Sequence, residues 1–150
     1  MLADRILSVE RSPFYSIMEL AAKRSDCIYL NLGEPDFVTP AHVAEAAKKA
    51  LDEGHTHYGP DRGVPELRQL IAEKLEREYG AKYNWEEEIL ITAGGQAGLH
   101  IAVMALANPG DEIIIPRPCW VSFPEQVKLA GAKPVMVATR HHQLDLDGFG

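Results

Sequence analysis

Apolar positions along this chain fall either into stripes spaced three to four residues apart or into short continuous runs, and the change from one to the other marks the elements. Phe14, Ile17, Met18, Ala21 and Ala22 share one helical face, so a helix is predicted to start at Ser12-Pro13, with Ser12 as cap and Pro13 in the first turn. Cys27 to Leu32 reads as a strand running into the breaker-rich turn Gly33-Glu34-Pro35-Asp36-Phe37. Val43, Ala46, Ala47, Ala50 and Leu51 predict a helix over 41–52, with Thr39 as cap, Pro40 at its first position and Gly54 as its stop. Leu67, Leu70, Ile71, Leu75 and Tyr79 form a stripe on a helix opened by Pro65 and closed by Gly80.

The second half changes character. Ile89-Leu90-Ile91 is a short apolar run that passes through Thr92-Ala93-Gly94-Gly95-Gln96 into a small-residue helix, Ala97 to Ala107. Leu99, Ala102, Val103 and Leu106 are expected inward, and Ile101 and Met104 suggest burial on a second side. Glu112 to Pro116 is a nearly continuous apolar strand, as in strands covered on both faces. A helix over 122–130, stopped by Gly131, and a strand over 133–138 follow. Residues 88–138 therefore predict a parallel β-α-β-α-β half-sheet, an α/β arrangement with right-handed crossovers. Ligands of such sheets bind at the carboxyl ends of the strands, where Gly94-Gly95-Gln96 and Trp120 both fall. A helix that opens through glycines also points free N–H groups and the positive end of its dipole at one spot, a natural anion site. Taken alone, the same stretch is an ordinary strand–turn–helix whose glycines only permit the turn.

Composition narrows the partners. The 150 residues carry a formal net charge of −7, which argues against nucleic acid and anionic membrane surfaces. Apolar content of 46% and charged content of 25% belong to a globular protein, and no run is long enough to span a bilayer. The start, Met1 to Ile6, carries charge at once and does not read as a secretory signal. Cys27 and Cys119 offer no disulfide framework, so a cytoplasmic protein is expected. His55 and His57 sit two apart in a loop without a visible third ligand, so no metal site is expected. His100 reads as a satisfied core histidine, and Glu86-Glu87-Glu88 as a polar lead-in.

Five blocks in order carry a resemblance. They are Asn31-Leu32-Gly33-Glu34-Pro35-Asp36-Phe37 with Thr39-Pro40; Tyr58-Gly59-Pro60-Asp61-Arg62-Gly63 with Glu66-Leu67-Arg68; Thr92 to Gln96; Asn108-Pro109-Gly110-Asp111; and Pro118-Cys119-Trp120-Val121-Ser122. Together they resemble class I/II aminotransferases, the aspartate aminotransferase group of pyridoxal-phosphate enzymes of fold type I. The resemblance covers roughly residues 12–145. It implies that Gly94, Gly95 and Gln96 cradle the phosphate of pyridoxal 5'-phosphate, and that Trp120 lies flat on the pyridine ring and borders the substrate. It implies that Gly33 leaves room for the substrate carboxylate, and that Tyr58 reaches the phosphate of a neighbouring subunit in a homodimer. The family commonly has a small hydroxyl residue or a lysine in the glycine triplet. Gln96 can donate through its amide but brings no charge.

The chemistry of the family requires a lysine for the Schiff base with the cofactor, an acidic group on the pyridine nitrogen, and arginines for phosphate and carboxylate. None of the seven lysines lies in the family's lysine motif, so that residue is expected beyond position 150 and no catalytic residue is expected in this chain. The resemblance thus implies the N-terminal portion of an incomplete fold type I enzyme. Residues 1–45 would be the arm and small-domain segment, and 46–150 the first part of the large cofactor domain. The implied reaction is ping-pong amino transfer from an L-amino acid to a 2-oxo acid in amino-acid metabolism, aspartate-type or broad in specificity. Alternatives are a carbon–sulfur lyase or amino-acid synthase on the same fold, or an inactive fragment or binding module. A half-sheet lacking the cover of one face should expose apolar strand residues.

Overall fold

The computed structural model describes residues 2–141 and 143–144. These fall into two compact units, one within Met1–Asn31 and Gly95–Gly150, the other Leu32–Gly94.

The first unit opens with a short helix α1 (Asp4–Leu7), which the sequence reading leaves as part of an arm. In α2 (Pro13–Ala21) the Ser12 hydroxyl accepts from the Phe14 N–H at 3.2 Å, the expected cap. The chain returns at α5 (Gly95–Leu106), then β1 (Glu112–Arg117), α6 (Ser122–Leu129), β2 (Lys133–Arg140) and a short β3 (Gln143–Leu144). β1 and β2 are parallel, with Glu112 opposite Lys133 and Arg117 opposite Ala138, and β3 turns back antiparallel on β2. The connection between the parallel strands runs through α6, as a parallel pair requires. The Asn108–Asp111 turn is locked to the end of α6: Gly110 N–H donates to Gly131 O at 3.1 Å and Lys133 N–H to Asp111 O at 2.7 Å.

Ile115, Val127 and Ala132 are the buried centre of this unit, with Val103, Ile113, Phe123 and Met136 packed around them. Val127 is 2% exposed, so Val127→Ala is expected to cost roughly 2 kcal/mol through lost burial and the void left behind. A urea midpoint unchanged within error would contradict that.

The second unit holds α3 (Ala41–Asp52) and α4 (Pro65–Tyr79). α4 ends on Gly80 in the left-handed conformation (φ +68°) with its N–H on Glu76 O at 2.9 Å, the expected glycine stop. Its one buried charged residue is Arg68, which donates to the carbonyls of Gly63, Trp85 and Glu86 at 3.1, 3.0 and 3.2 Å and lies over the Trp85 ring. The acidic run is more than a lead-in. Glu88 accepts from Asn84 N–H at 2.7 Å and folds residues 84–88 into a turn.

Several expectations need correction. Cys27–Leu32 forms no strand, because no described segment pairs with it, and Ile28 and Leu30 stand exposed. Ile89–Ile91 forms none either; Ile91 N–H makes a single bond to Arg62 O at 3.0 Å. The β-α-β-α-β half-sheet therefore lacks its first strand and reduces to α5-β1-α6-β2. Ile89 and Ile91 are nonetheless half-buried while Leu90 is exposed, so the period of two is present without a ladder. Pro40, not Thr39, is the cap of α3, and no side chain caps it. On α5 Val103 packs on the core, as does Ala107 just beyond its end, and Leu106, Ile101 and Met104 are exposed. β1 is covered on one face, Ile114 being 51% exposed, which is the bare apolar strand expected of a half-covered sheet. His100 is half-buried at most.

Candidate functional site

The turn into α5 is built from its own residues. Thr92 Oγ1 donates to Gly94 O at 3.0 Å, and Gly94 N–H donates to Thr92 O at 2.8 Å. Gly94 has φ +83°, a conformation glycine adopts without penalty. A Cβ built at Gly94 or Gly95 would meet no atom within 4 Å. Open space therefore lies where side chains would otherwise stand, beside the first free N–H groups of a 12-residue helix. That donor set and that space suit a phosphate-sized anion.

Gln96 is the second residue of α5 and points its amide oxygen at α6. Ser122 Oγ donates to Gln96 Oε1 at 3.0 Å, and Gln126 Nε2 donates to the same oxygen at 2.6 Å. Among the described residues Gln96 Nε2 has no acceptor. The Ser122 hydroxyl thus reaches across to the neighbouring helix instead of capping its own, which has no side-chain cap. Both contacts escape a linear reading, since they span 26 and 30 residues.

Trp120 stands two residues before this network, after the carboxyl end of β1. It is 42% exposed and packs edge-on against Phe14, centroids 6.0 Å apart at 63°. Phe14 in turn meets Tyr15 edge-on at 5.5 Å. At that exposure part of the indole surface stays open to a stacking partner. The sequence-predicted residues Gln96 and Trp120 therefore share one unit with Gly95, while Gly33, Tyr58 and Gly94 belong to the other. Tyr58 is fully exposed. A Cβ on Gly33 would meet nothing within 4 Å, so packing within this chain does not demand glycine there.

The lysines face carboxylates or solvent. Lys49, Lys74, Lys82, Lys128 and Lys133 pair with Glu53, Glu78, Glu76, Glu125 and Glu112. Glu112, accepting from Lys133 at 2.6 Å, holds its ammonium above the ordinary lysine value. A covalent amine catalyst needs the neutral form, reached by desolvation or a neighbouring cation, and these pairings work against it. His55 faces Glu53 at 3.6 Å, and among the described residues no cluster of metal-ligating side chains occurs. No helix among them is long and apolar enough to cross a membrane.

The aminotransferase class I and II family matches residues 25–149. The chain belongs to that family. An aspartate aminotransferase of Pyrococcus horikoshii is 46% identical over 139 residues, 93% of this chain and 35% of the relative. An aspartate/prephenate aminotransferase of Cereibacter sphaeroides is 46% identical over 141 residues, 91% of this chain and 35% of the relative. The solved aspartate aminotransferase from Thermus thermophilus with maleate superposes with a TM-score of 0.86 at 41% identity, over 95% of this chain and 38% of that one. The fold is accordingly a partial fold type I domain, with helices around a small parallel pair. The chain spans about a third of the length of these aminotransferases.

Proposed function

We propose that the protein carrying this segment is a pyridoxal-phosphate-dependent aminotransferase, moving an amino group from an L-amino acid to a 2-oxo acid. The observation that carries the reading is the family match over residues 25–149, which contains Tyr58, the glycine turn and the Trp120 block in that order. Gly94, Gly95 and Gln96 would hold the cofactor phosphate, supported by the open space beside the α5 N–H groups. Trp120 would lie against the ring, steadied by its inclined contact with Phe14. Gly33 would admit the substrate carboxylate, and Tyr58, fully exposed in this chain, would serve the phosphate site of a second copy in a homodimer. The cofactor supplies the electron sink for breaking the Cα–H bond. The residues named here bind and orient it.

Aspartate is the favoured amino donor, supported by the relatives named for it. A cytoplasmic location is part of the same reading, supported by two free cysteines far apart in sequence. Residues 1–45 would serve the small domain and 46–150 the large one.

The 150 residues alone are expected to give no transamination, because the lysines present are paired or exposed on surfaces. Borohydride reduction after incubation with pyridoxal phosphate, read by intact mass, should show no single stoichiometric adduct. One adduct at one lysine would mean that a residue here takes the covalent role. For the longer protein, aspartate-dependent conversion of 2-oxoglutarate tests the activity, and pyruvate release without an oxo-acid acceptor would point to lyase chemistry instead.

A further inference from the structure

The Gln96 amide has two ends of opposite polarity, and only one suits an anion. Its oxygen would repel a phosphate, while its N–H2 would donate to it. Ser122 Oγ and Gln126 Nε2 both donate to Gln96 Oε1, at 3.0 and 2.6 Å, so the oxygen is claimed by α6. The nitrogen lies on the other edge of the same planar group, without an acceptor among the described residues.

Holding this arrangement has a cost. Gln126 Oε1 is buried without a hydrogen-bond partner. With both amides turned over, Gln126 Oε1 could accept from Gln96 Nε2, Gln126 Nε2 would take over the buried unpartnered place, and Gln96 would present its oxygen at the start of α5. The two arrangements differ in which sign of partial charge faces the open space beside Gly95. An anion bound there favours the observed one.

We propose that Ser122 and Gln126 are positioning residues that set the polarity of the Gln96 amide, so that it offers N–H to a phosphate monoester at the amino end of α5. The inference rests on the reading of Gly94-Gly95-Gln96 as the phosphate cradle. It gives Gln96, which brings no charge, a defined way to contribute where the family often has a hydroxyl or a lysine.

Pyridoxamine 5'-phosphate is the probe, because it carries the phosphate and cannot condense with lysines. Its dephosphorylated counterpart is the control. Binding to the full chain is read by quenching of Trp120 in a Trp85→Phe background. Gln126→Glu can only accept when ionised, so it claims Gln96 Nε2 and turns the oxygen outward. It is expected to weaken phosphate-ester binding by about tenfold or more. Gln126→Met and Ser122→Ala, which add no charge, should each weaken it by about three- to tenfold, with pyridoxamine binding unchanged. In a Gln96→Ala background the Gln126→Met and Ser122→Ala effects should vanish, which a merely structural role for these side chains would not produce. If Gln96→Ala weakens binding but neither Ser122→Ala nor Gln126→Met does, the polarity proposal is wrong and the cradle stands. If Gln96→Ala has no effect, or the unsubstituted chain binds the ester no better than pyridoxamine, the cradle reading fails and the proposal fails with it.

Discussion

Gly63→Ala is expected to destabilise the 32–94 unit by about 3 kcal/mol or more. Gly63 has φ +94°, and a Cβ built there would lie 2.5 Å from both Cβ and Cγ1 of Ile91. The left-handed conformation alone costs a β-carbon roughly 1–2 kcal/mol. Overpacking adds about 1–3 kcal/mol, and the obstacle here begins at a branch point next to the backbone, which cannot swing aside. The Arg62 carbonyl accepts from Ile91 N–H at 3.0 Å, so the two segments cannot separate without losing that bond as well. Trp85 fluorescence during urea unfolding, in a Trp120→Phe background, reads this unit by itself. Trimming Ile91 to alanine should not rescue the variant, because the Ile91 Cβ that Gly63→Ala would strike is still present. A Gly63→Ala midpoint equal to that of the parent would refute the account.

Arg68→Ala should cost about 3 kcal/mol, the second large effect. At 7% exposure, Arg68 donates to three backbone carbonyls and covers the Trp85 ring at 5.3 Å. Each charge-assisted bond contributes about 1.5–3 kcal/mol in favourable cases, offset by the desolvation of the guanidinium. Arg68→Lys is expected to recover less than half of the loss. A single ammonium cannot reproduce a planar fork that reaches Gly63 O from Nε and Trp85 O and Glu86 O from one terminal nitrogen. The same unfolding curve, together with a red shift of Trp85 emission in the folded state, measures both effects. A loss below about 0.5 kcal/mol would mean that the buried guanidinium roughly breaks even. Because Arg68 holds the Gly63 carbonyl, the Gly63→Ala and Arg68→Ala effects should not add.

Both residues stand inside one of the blocks that carry the family resemblance, Tyr58 to Arg68. Their weight in the structure is mechanical: they brace the turn at 62–63 against residues 85–91. A motif residue can thus mark a site or hold its support, and spacing along the chain does not separate the two.

Local physics alone determined much of this protein. The Ser12-Pro13 start of α2, the Gly80 stop of α4, the Pro65 opening and both strands of the parallel pair follow from side-chain period, caps and breakers within a few residues. The order of the blocks carried the family as well. Only the tertiary structure decided the rest. Cys27–Leu32 and Ile89–Ile91 have the composition of strands, yet a strand exists only where a partner supplies the ladder, and no described segment does. The apolar faces of α5 and β1 carry the pattern of burial, but burial needs an opposing surface, and Leu106 and Ile114 meet none here. The Gln96 amide could point either end outward as far as sequence is concerned. Its polarity was settled by two side chains 26 and 30 residues away, brought beside it because β1 carries the chain from α5 to α6.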